Sequence, residues 1–370
     1  MKQVCLVIFF FSLTTAAVFS QNKVFIPGKE WLDTDGIHIN AHGGGILFKK
    51  GVYYWYGEHK TSGSQGNTAL MGVRCYSSTD LYHWRNEGIV LKVETDLNSE
   101  ITKGCVIERP KVVFNEKTGK YIMWFHLELK GKGYEAAKAA VAVSDTPKGP
   151  FKFLKSYRPN KGVWPLNFED QYKTANVDES QLKWWTPEWM SQIKNGMFVR
   201  KDYVNGQMSR DMTVYVDDDQ KAYLIYSSEE NLTLHIAELT NDYLGFTGKW
   251  VRLEPGGHNE APTIFKTGGV YYMITSGCTG WDPNAARSFR SKSIWGPWEA
   301  MGNPCVGEGA LLTFKSQGTY ILPIQGKNEQ FIFMADRWNP KKPIDGTYVW
   351  LPIEFEDKRP VLKWMDKWNL

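Results

Sequence analysis

Short runs of aromatic and β-branched residues recur along the chain, and each follows a turn that contains Gly or Lys. Runs of this composition, bounded by turn residues, are typical of β-strands. The runs lie at 51–56 (GVYYWY), 119–124 (GKYIMW), 221–226 (KAYLIY), 269–274 (GVYYMI) and, more weakly, 330–335 (QFIFMA). The pattern therefore predicts five copies of one strand unit.

A second apolar strand precedes each of these runs, and turn residues connect the two. The partner strands are predicted at 44–48, 110–114, 212–216, 262–265 and 319–322. The connections at 115–119 (NEKTG) and 217–220 (DDDQ) have the composition that tight hairpins favour. Repeated strand units without amphipathic helices between them are typical of a β-propeller. We therefore predict an all-β fold, a five-bladed β-propeller.

One long segment, from about 156 to 207, breaks the repeat. It is rich in aromatic residues, among them Trp164, Trp184 and Trp185. We predict that it is an insertion between the second and third blades, and long loops of this kind are often functional. Its aromatic content indicates that it packs on the propeller or overhangs a site.

The N-terminus has the features of an export signal. Lys2 is followed by an apolar run at 4–19, which is shorter than the about 20 residues of a membrane span. Small residues near Ser20 favour cleavage after that position. We predict a signal peptide at 1–20 and a mature domain at 21–370. The protein is predicted to be exported, to the periplasm or the medium, without a membrane anchor.

Composition narrows the classes of function. The chain has 44 Lys and Arg against 40 Asp and Glu, a net charge of +4, and no long basic run, so no nucleic-acid partner is predicted. An aromatic fraction of 14%, with 34 Gly and 17 Pro, fits many short strands and turns. The four cysteines after the signal segment do not have a spacing that assigns disulfide pairs. Because CxxC and HExxH motifs are absent, no metal site is predicted.

The innermost strands of a propeller lie along its central channel, so the residues at their starts meet at one end of the molecule. The residues at this position are His42, Glu108, Asp211, Glu260 and Gln317. Pro follows two residues after both Glu108 and Glu260, which fixes the backbone there. Clustered carboxylates in a poorly solvated cup raise one another's proton affinity, so one of them can act as an acid. Beside Trp and Tyr side chains, such carboxylates indicate cleavage of glycosidic bonds.

Further residues are weaker candidates for contact with a sugar. Glu229 follows a strand and could reach the sugar or lie in solvent. Trp281 ends a strand and could pack in the core or form a stacking platform, and Thr279 lies two residues before it. His42 could be a packed core imidazole as readily as a ligand contact.

Eight stretches spread over nearly all of the mature chain form a specific set. They are 41–47 (AHGGGIL), 54–58 (YWYGE), 108–112 (ERPKV), 209–211 (SRD), 260–262 (EAP), 276–284 (SGCTGWDPN), 316–317 (SQ) and 336–338 (DRW). With these stretches the chain resembles glycoside hydrolase family 43, and within it the exo-β-1,3-galactanase-like branch. The resemblance implies a five-bladed propeller and an inverting mechanism.

The resemblance also implies roles for individual residues. Glu260 matches the general acid, and Asp211 matches the carboxylate that sets the pKa and orientation of that acid. Glu108 matches an essential carboxylate that contacts the sugar. The residues that match those holding the terminal sugar are Glu58, Tyr134 and Trp281, with Trp281 as the stacking platform.

One departure from most of family 43 concerns the catalytic base. The usual Asp at the entry of the first blade is absent from 38–42 (HINAH), as it is in the galactanase-like branch. The resemblance implies that Gln317 orients or activates the water instead. An amide is a poor base unless it shifts to its imidic form, so Glu108 stays open as the base. The 156–207 insertion is a second departure and could alter the substrate pocket.

We therefore predict an exported, inverting exo-glycoside hydrolase that releases galactose from β-1,3-galactan or arabinogalactan side chains. An α-L-arabinofuranosidase or β-xylosidase is an alternative, because the wider family uses the same carboxylates on pentoses. A non-catalytic sugar-binding propeller is another, although all three carboxylates are present. The predicted partner is a polysaccharide or oligosaccharide substrate. No cofactor is predicted, and a structural ion in the propeller channel and the oligomeric state are left open.

Overall fold

The fold is built almost entirely from antiparallel β-strands. Within residues 23–63 and 68–370, which the computed structural model describes, the chain forms 22 strands. The predicted signal peptide at 1–20 lies outside this range. No helix of the described residues is long and apolar enough to cross a membrane.

Four sheets have four strands each, hydrogen-bonded in chain order. The first contains β1 to β4, at His42–Lys49, Val52–Glu58, Gly72–Ser78 and Arg85–Lys92. The second contains β5 to β8, at Val106–Asn115, Lys120–Glu128, Lys138–Ser144 and Lys152–Tyr157. The third contains β9 to β12, at Met212–Val216, Ala222–Ser228, Thr233–Leu239 and Phe246–Leu253. The fourth contains β13 to β16, at Asn259–Thr267, Val270–Gly277, Arg287–Ser291 and Glu299–Gly302.

Two further sheets have three strands each. One contains β18 to β20, at Gln317–Pro323, Phe331–Arg337 and Thr347–Pro352. The other contains β17 (Cys305–Val306), β22 (Arg359–Lys363) and β21 (Glu354–Glu356), in that order. Its strands β17 and β22 pair in parallel across more than fifty residues of sequence.

The predicted number of blades is wrong, because the described strands form six sheets and not five. The propeller class and the predicted aromatic hairpins are confirmed, since each predicted pair matches an observed antiparallel pair to within one residue at the start of the aromatic strand. The sheet that the sequence missed has strands of only two, three and five residues. Its pairing joins distant parts of the chain, which a local pattern of apolar residues does not reveal.

The segment between the second and third sheets contains short helices. They are α1 (Asp170–Lys173), a 3₁₀ helix (Glu179–Gln181), α2 (Pro187–Lys194) and α3 (Met197–Lys201). Helix α2 begins where a helix start is expected: the Thr186 hydroxyl accepts a hydrogen bond from the Trp189 amide, and Pro187 occupies the first turn. Two more 3₁₀ helices lie at Ala310–Lys315 and Pro343–Asp345.

Large apolar clusters fill the spaces between neighbouring sheets. One cluster joins the first sheet to the sheet of β18 to β20 and contains Trp55, Trp84 and Trp350, each at most 2% exposed. The four described cysteines, which include Cys75 and Cys105 in one buried cluster, form no disulfide. The aromatic content of the chain therefore serves mainly to hold the sheets against one another.

Candidate active site

A cavity of about 310 Å³ lies where the inner strands begin. Its polar wall contains Glu58, Glu108, Arg109, Asp211, Glu260 and Gln317. These residues come from five different sheets or from the segments leading into them. The structure thus brings together the three carboxylates and the amide that the sequence placed at the starts of inner strands, together with Glu58.

A repeated backbone feature aims two of these carboxylates. The register of β5 with β6 shifts between Glu108 and Lys111, and that of β13 with β14 shifts between Glu260 and Thr263. The residue after each glutamate has a left-handed backbone, with φ of 55° at Arg109 and 49° at Ala261. Bulges of this kind redirect side chains next to active sites. The Glu-X-Pro sequence is therefore the local cause of the inward-facing carboxylates.

Glu260 is a carboxylate with a high proton affinity. Burial and then the negative charge of Asp211 raise its pKa to about 7. Its Oε1 accepts hydrogen bonds from the Asn231 amide at 2.7 Å and from the Cys278 thiol at 3.0 Å. Because both donors reach the same oxygen, Oε2 is the atom suited to carry a proton. Glu260 can therefore supply a proton to a bound substrate near neutral pH.

Glu108 is held in the ionised state. Its Oε1 accepts a hydrogen bond from the Tyr134 hydroxyl, and its Oε2 pairs with His126 Nδ1, each at 2.8 Å. Burial alone would raise the pKa of Glu108, but the His126 hydrogen bond and charge outweigh burial and lower it to about 2. Glu108 is therefore an anion in the whole range in which Glu260 loses its proton.

A second buried carboxylate supports His126 from behind. His126 Nε2 lies 2.9 Å from Glu128 Oε1, and Glu128 Oε2 accepts the Ala137 amide at 3.0 Å. Burial opposes a charged imidazole, yet its hydrogen bonds to Glu108 and Glu128 raise the pKa of His126 to about 9. The array of Glu128, His126 and Glu108 thus holds one positive charge between two negative ones.

Arg109 links the remaining polar groups. Its guanidinium makes a two-pronged ion pair with Asp211, through Nε at 3.0 Å and Nη2 at 2.8 Å. Its Nη2 also donates to Gln317 Oε1 at 2.6 Å, and its backbone amide donates to Glu58 Oε1 at 3.0 Å. Gly43 allows this approach, since a Cβ there would lie 2.2 Å from Glu58 Oε1. The Arg109 side chain therefore fixes Asp211, which also accepts the Ala261 amide at 3.1 Å beside Glu260.

The carbonyl oxygen of Gln317 is fully engaged, whereas its NH2 group makes one hydrogen bond. Its Oε1 accepts from Arg109 and also from Trp338 Nε1 at 3.0 Å, and its Nε2 donates to Ser276 Oγ at 2.9 Å. Both acceptor positions of the carbonyl oxygen are thus in use. In this arrangement Gln317 is suited to orient groups in the cavity and has no lone pair left on oxygen for a proton.

Aromatic side chains form the rest of the wall. Tyr134 and Trp281 are 43% and 42% exposed, which is unusual for large apolar residues. Trp281 meets Trp338 edge to face, with ring centroids 5.8 Å apart. Such open ring faces beside hydrogen-bonding groups suit the C–H faces and hydroxyls of a sugar.

Three predicted contact residues do not line the cavity. Glu229 is completely buried, and its carboxylate binds Arg252 Nε and Nη2, each at 2.7 Å, and His235 at 2.9 Å. Thr279 is exposed, and its hydroxyl donates to the Asp282 carbonyl within its own loop. His42 is buried behind the wall, stacked on Tyr348 and 3.5 Å from Asp336 Oδ2. The geometry therefore gives Glu229 and His42 structural positions and leaves Thr279 outside the cavity.

Sequence reasoning missed several residues of the site. Arg109 and Trp338 belong to the ERP and DRW stretches but were not assigned roles, although an Arg directly after a site carboxylate is a signal for ion pairing. Asn231 and Cys278 contact Glu260 from separate loops, and His126 lies in an aromatic strand that looks like core. The roles of Asn231 and Cys278 depend on how distant segments meet, whereas the role of His126 depends on the register of β5 with β6, which places it opposite Glu108.

One group of side chains has the composition of a metal site. Ligand atoms of Glu108, His126 and Asp211 all lie within 4.8 Å of one another. However, His126 Nδ1 is already paired with Glu108, and both Asp211 oxygens face the Arg109 guanidinium. A cation would have to displace these contacts next to a fixed positive charge. We therefore assign the group to the ion-pair network.

Comparisons with known proteins agree with this chemistry. The family model for glycosyl hydrolases family 43 matches residues 186–321. Among solved structures, the GH43 β-1,3-galactosidase BT3683 with galactodeoxynojirimycin is 57% identical, with a TM-score of 0.91 over 94% of this chain and 100% of that chain. No curated protein matches the chain. The chain therefore belongs to glycoside hydrolase family 43, and it is a glycoside hydrolase.

More distant relatives share the same fold. An exo-β-1,3-galactanase from Clostridium thermocellum is 36% identical, with a TM-score of 0.76 over 94% of this chain and 66% of that chain. The exo-β-1,3-galactanase from Phanerochaete chrysosporium, solved with galactose, is 30% identical, with a TM-score of 0.75 over 94% of this chain and 68% of that chain. This chain is thus similar to exo-β-1,3-galactanases over nearly its whole length.

Proposed function

We propose that the protein is an inverting exo-glycoside hydrolase that releases galactose from β-1,3-galactan, including the backbones of arabinogalactan side chains. The observation that carries the proposal is the pair of glutamates in one cavity, Glu260 with its pKa raised to about 7 and Glu108 with its pKa lowered to about 2. A protonated and an ionised carboxyl are the two groups that glycoside hydrolysis requires. The β-1,3-galactosidase and exo-β-1,3-galactanases among the relatives support galactose as the sugar.

In this mechanism Glu260 donates its proton to the leaving oxygen as the glycosidic bond breaks. Water attacks the anomeric carbon from the opposite face, which gives inversion in a single displacement. Asp211, fixed by Arg109, keeps the proton affinity of Glu260 high. Trp281 stacks on the terminal galactose, while Glu58 and Tyr134 lie in position to bind its hydroxyls.

Replacing Glu260 tests the proposal. Glu260→Gln should lower the turnover of β-1,3-galactobiose by at least about a hundredfold, the usual scale for general acid catalysis, with the fold intact. In the unmodified enzyme, NMR during hydrolysis should show α-galactose as the first product from the β-linked substrate. Near-normal turnover of the variant, or β-galactose as the first product, contradicts the assignment.

We further propose that Glu108, and not Gln317, accepts the proton of the attacking water. The Gln317 oxygen already accepts two hydrogen bonds, whereas Glu108 is a fixed anion on the cavity wall. Glu108→Ala should lose at least about a hundredfold in turnover, and added azide should restore reaction by forming α-galactosyl azide. Gln317→Ala should show no such rescue. Rescue of the Gln317 variant alone would assign the base to Gln317.

We propose that this activity operates outside the cytoplasm. The support is the apolar run at 4–19 that follows Lys2. The proposed chemistry needs two carboxyl groups and a water, so no cofactor is included in it.

A further inference from the structure

Two exposed tryptophans are adjacent in sequence on the insertion, and both contact Trp189. Trp184 is 53% exposed and Trp185 is 58% exposed, although large aromatic side chains are normally buried. We call this pair the Trp platform. Contiguous exposed apolar surface is a mark of binding sites.

The Trp platform has a rigid base. Trp184 stacks on Trp189 with ring centroids 5.0 Å apart, and Trp185 contacts Trp189 at 5.2 Å. Trp189 is 1% exposed and belongs to the apolar cluster that joins α2 and α3 to Leu232 of the propeller. Trp185 also has a left-handed backbone, with φ of 69°, a conformation that costs a bulky residue energy and persists only where its surroundings hold it. The exposed rings are thus presented by a packed support.

Two connections link the Trp platform to the general acid. Trp185 contacts the ring of His258 at 5.1 Å, and His258 lies two residues before Glu260. Leu232, which packs with Trp189, follows Asn231, whose amide donates to Glu260 Oε1 at 2.7 Å. The platform therefore lies at the catalytic end of the propeller, on the side from which Glu260 enters the cavity.

The position of the general acid determines which part of the substrate lies on this side of the cavity. A general acid must reach the oxygen between the terminal sugar and the leaving portion of the substrate, so the leaving portion lies next to it. We propose that the Trp platform binds the leaving portion of a β-1,3-galactan chain, beyond the sugar that is released. This proposal rests on the proposed function, and it names a polymer as the substrate that this site favours.

Electrostatics support an uncharged occupant. Burial and the charge of Arg287 lower the pKa of His258, so this ring is neutral at neutral pH. The Trp platform and His258 together form a neutral aromatic surface, which suits the C–H faces of neutral hexose units.

Kinetics on substrates of two lengths test the proposal. In the double variant Trp184→Ala/Trp185→Ala, the KM for long β-1,3-galactan should rise roughly tenfold, which corresponds to about 1.4 kcal/mol. The kcat/KM for β-1,3-galactobiose should stay within about twofold of the unmodified enzyme, because one leaving galactose ends at the cavity. Trp185→Phe, which keeps an aromatic face, should retain most of the affinity for galactan.

A matched control is available in the same insertion. Leu166 is 62% exposed and apolar but not aromatic, so Leu166→Ala should leave both substrates unaffected. Unchanged galactan kinetics in the double variant, or equal losses on both substrates, overturn the proposal. So does a change in sedimentation without a change in galactan kinetics, which would make the platform a protein contact. If the unmodified enzyme releases galactose from neither substrate, the proposed function itself fails.

Discussion

Glu260 and Glu108 show how single residues are tuned by different neighbours. Both are glutamates at the start of an inner strand, yet the pKa of one is raised to about 7 and that of the other is lowered to about 2. Glu260 faces the anion Asp211, whereas Glu108 faces the charged ring of His126. The proposed mechanism needs Glu260 protonated. Activity should therefore fall as the pH rises through about 7, and activity should persist well into the acidic range.

The Cys278 thiol offers a test of this pH dependence. It donates to Glu260 Oε1 and so stabilises the ionised form, which lowers the pKa of Glu260. Cys278→Ala removes the donor and should move the alkaline limb of kcat/KM to higher pH. Cys278→Ser supplies a stronger donor and should move this limb to lower pH. The measurement is the pH profile of β-1,3-galactobiose hydrolysis for both variants.

The two Cys278 variants control for each other. Both remove the sulfur, so a general disturbance of the cavity would shift the two profiles in the same direction. Opposite shifts identify the hydrogen bond as the cause. Shifts of the same sign, or no shift in either variant, would contradict the role given to the thiol.

At the scale of elements, the sequence predicts the strands whose formation depends on local composition. The aromatic hairpins were found because strands such as Val52–Glu58 and Val270–Gly277 carry their own signature between turn residues. The sheet of β17, β22 and β21 was missed because its short strands pair across long sequence distances. The helices of the insertion were also missed, since none of them exceeds eight residues.

The same distinction applies to the site. The carboxylates could be predicted because Glu108 and Glu260 share one Glu-X-Pro context, whose bulge turns both side chains inward. Cys278 could not, because it reaches Glu260 from a loop that is distant in sequence, and His126 could not, because the register that places it opposite Glu108 is not visible in the sequence. Glu229 was wrongly expected to reach the sugar, because its burial against Arg252 is not visible in the sequence.

At the scale of the whole molecule, the two ends of the described chain meet. Phe25 and Trp368 exchange backbone hydrogen bonds of 2.8 and 3.1 Å, and their rings stack at 4.4 Å. Trp368 Nε1 also donates to the Trp350 carbonyl at 2.8 Å. This contact packs against the cluster that joins the first sheet to the sheet of β18 to β20. The C-terminal stretch therefore links the first sheet of the propeller to the sheet of β18 to β20.

Trp368→Ala should consequently weaken the fold and spare the chemistry. A fully buried Trp replaced by Ala costs about 3–5 kcal/mol, and Trp368 is only partly buried, so we expect the free energy of unfolding to fall by about 2–3 kcal/mol. The measurement is urea denaturation, with Leu97→Ala as the control: Leu97 is 78% exposed, and its loss should change stability by less than about 0.5 kcal/mol. The kcat/KM for β-1,3-galactobiose at 25 °C should stay unchanged in both variants, because neither residue lines the cavity.

Equal stability of the two variants would show that the chain ends do not hold the sheets together. A loss of activity without a loss of stability would instead show that closure acts on the cavity, through the strands that carry Asp336 and Gln317.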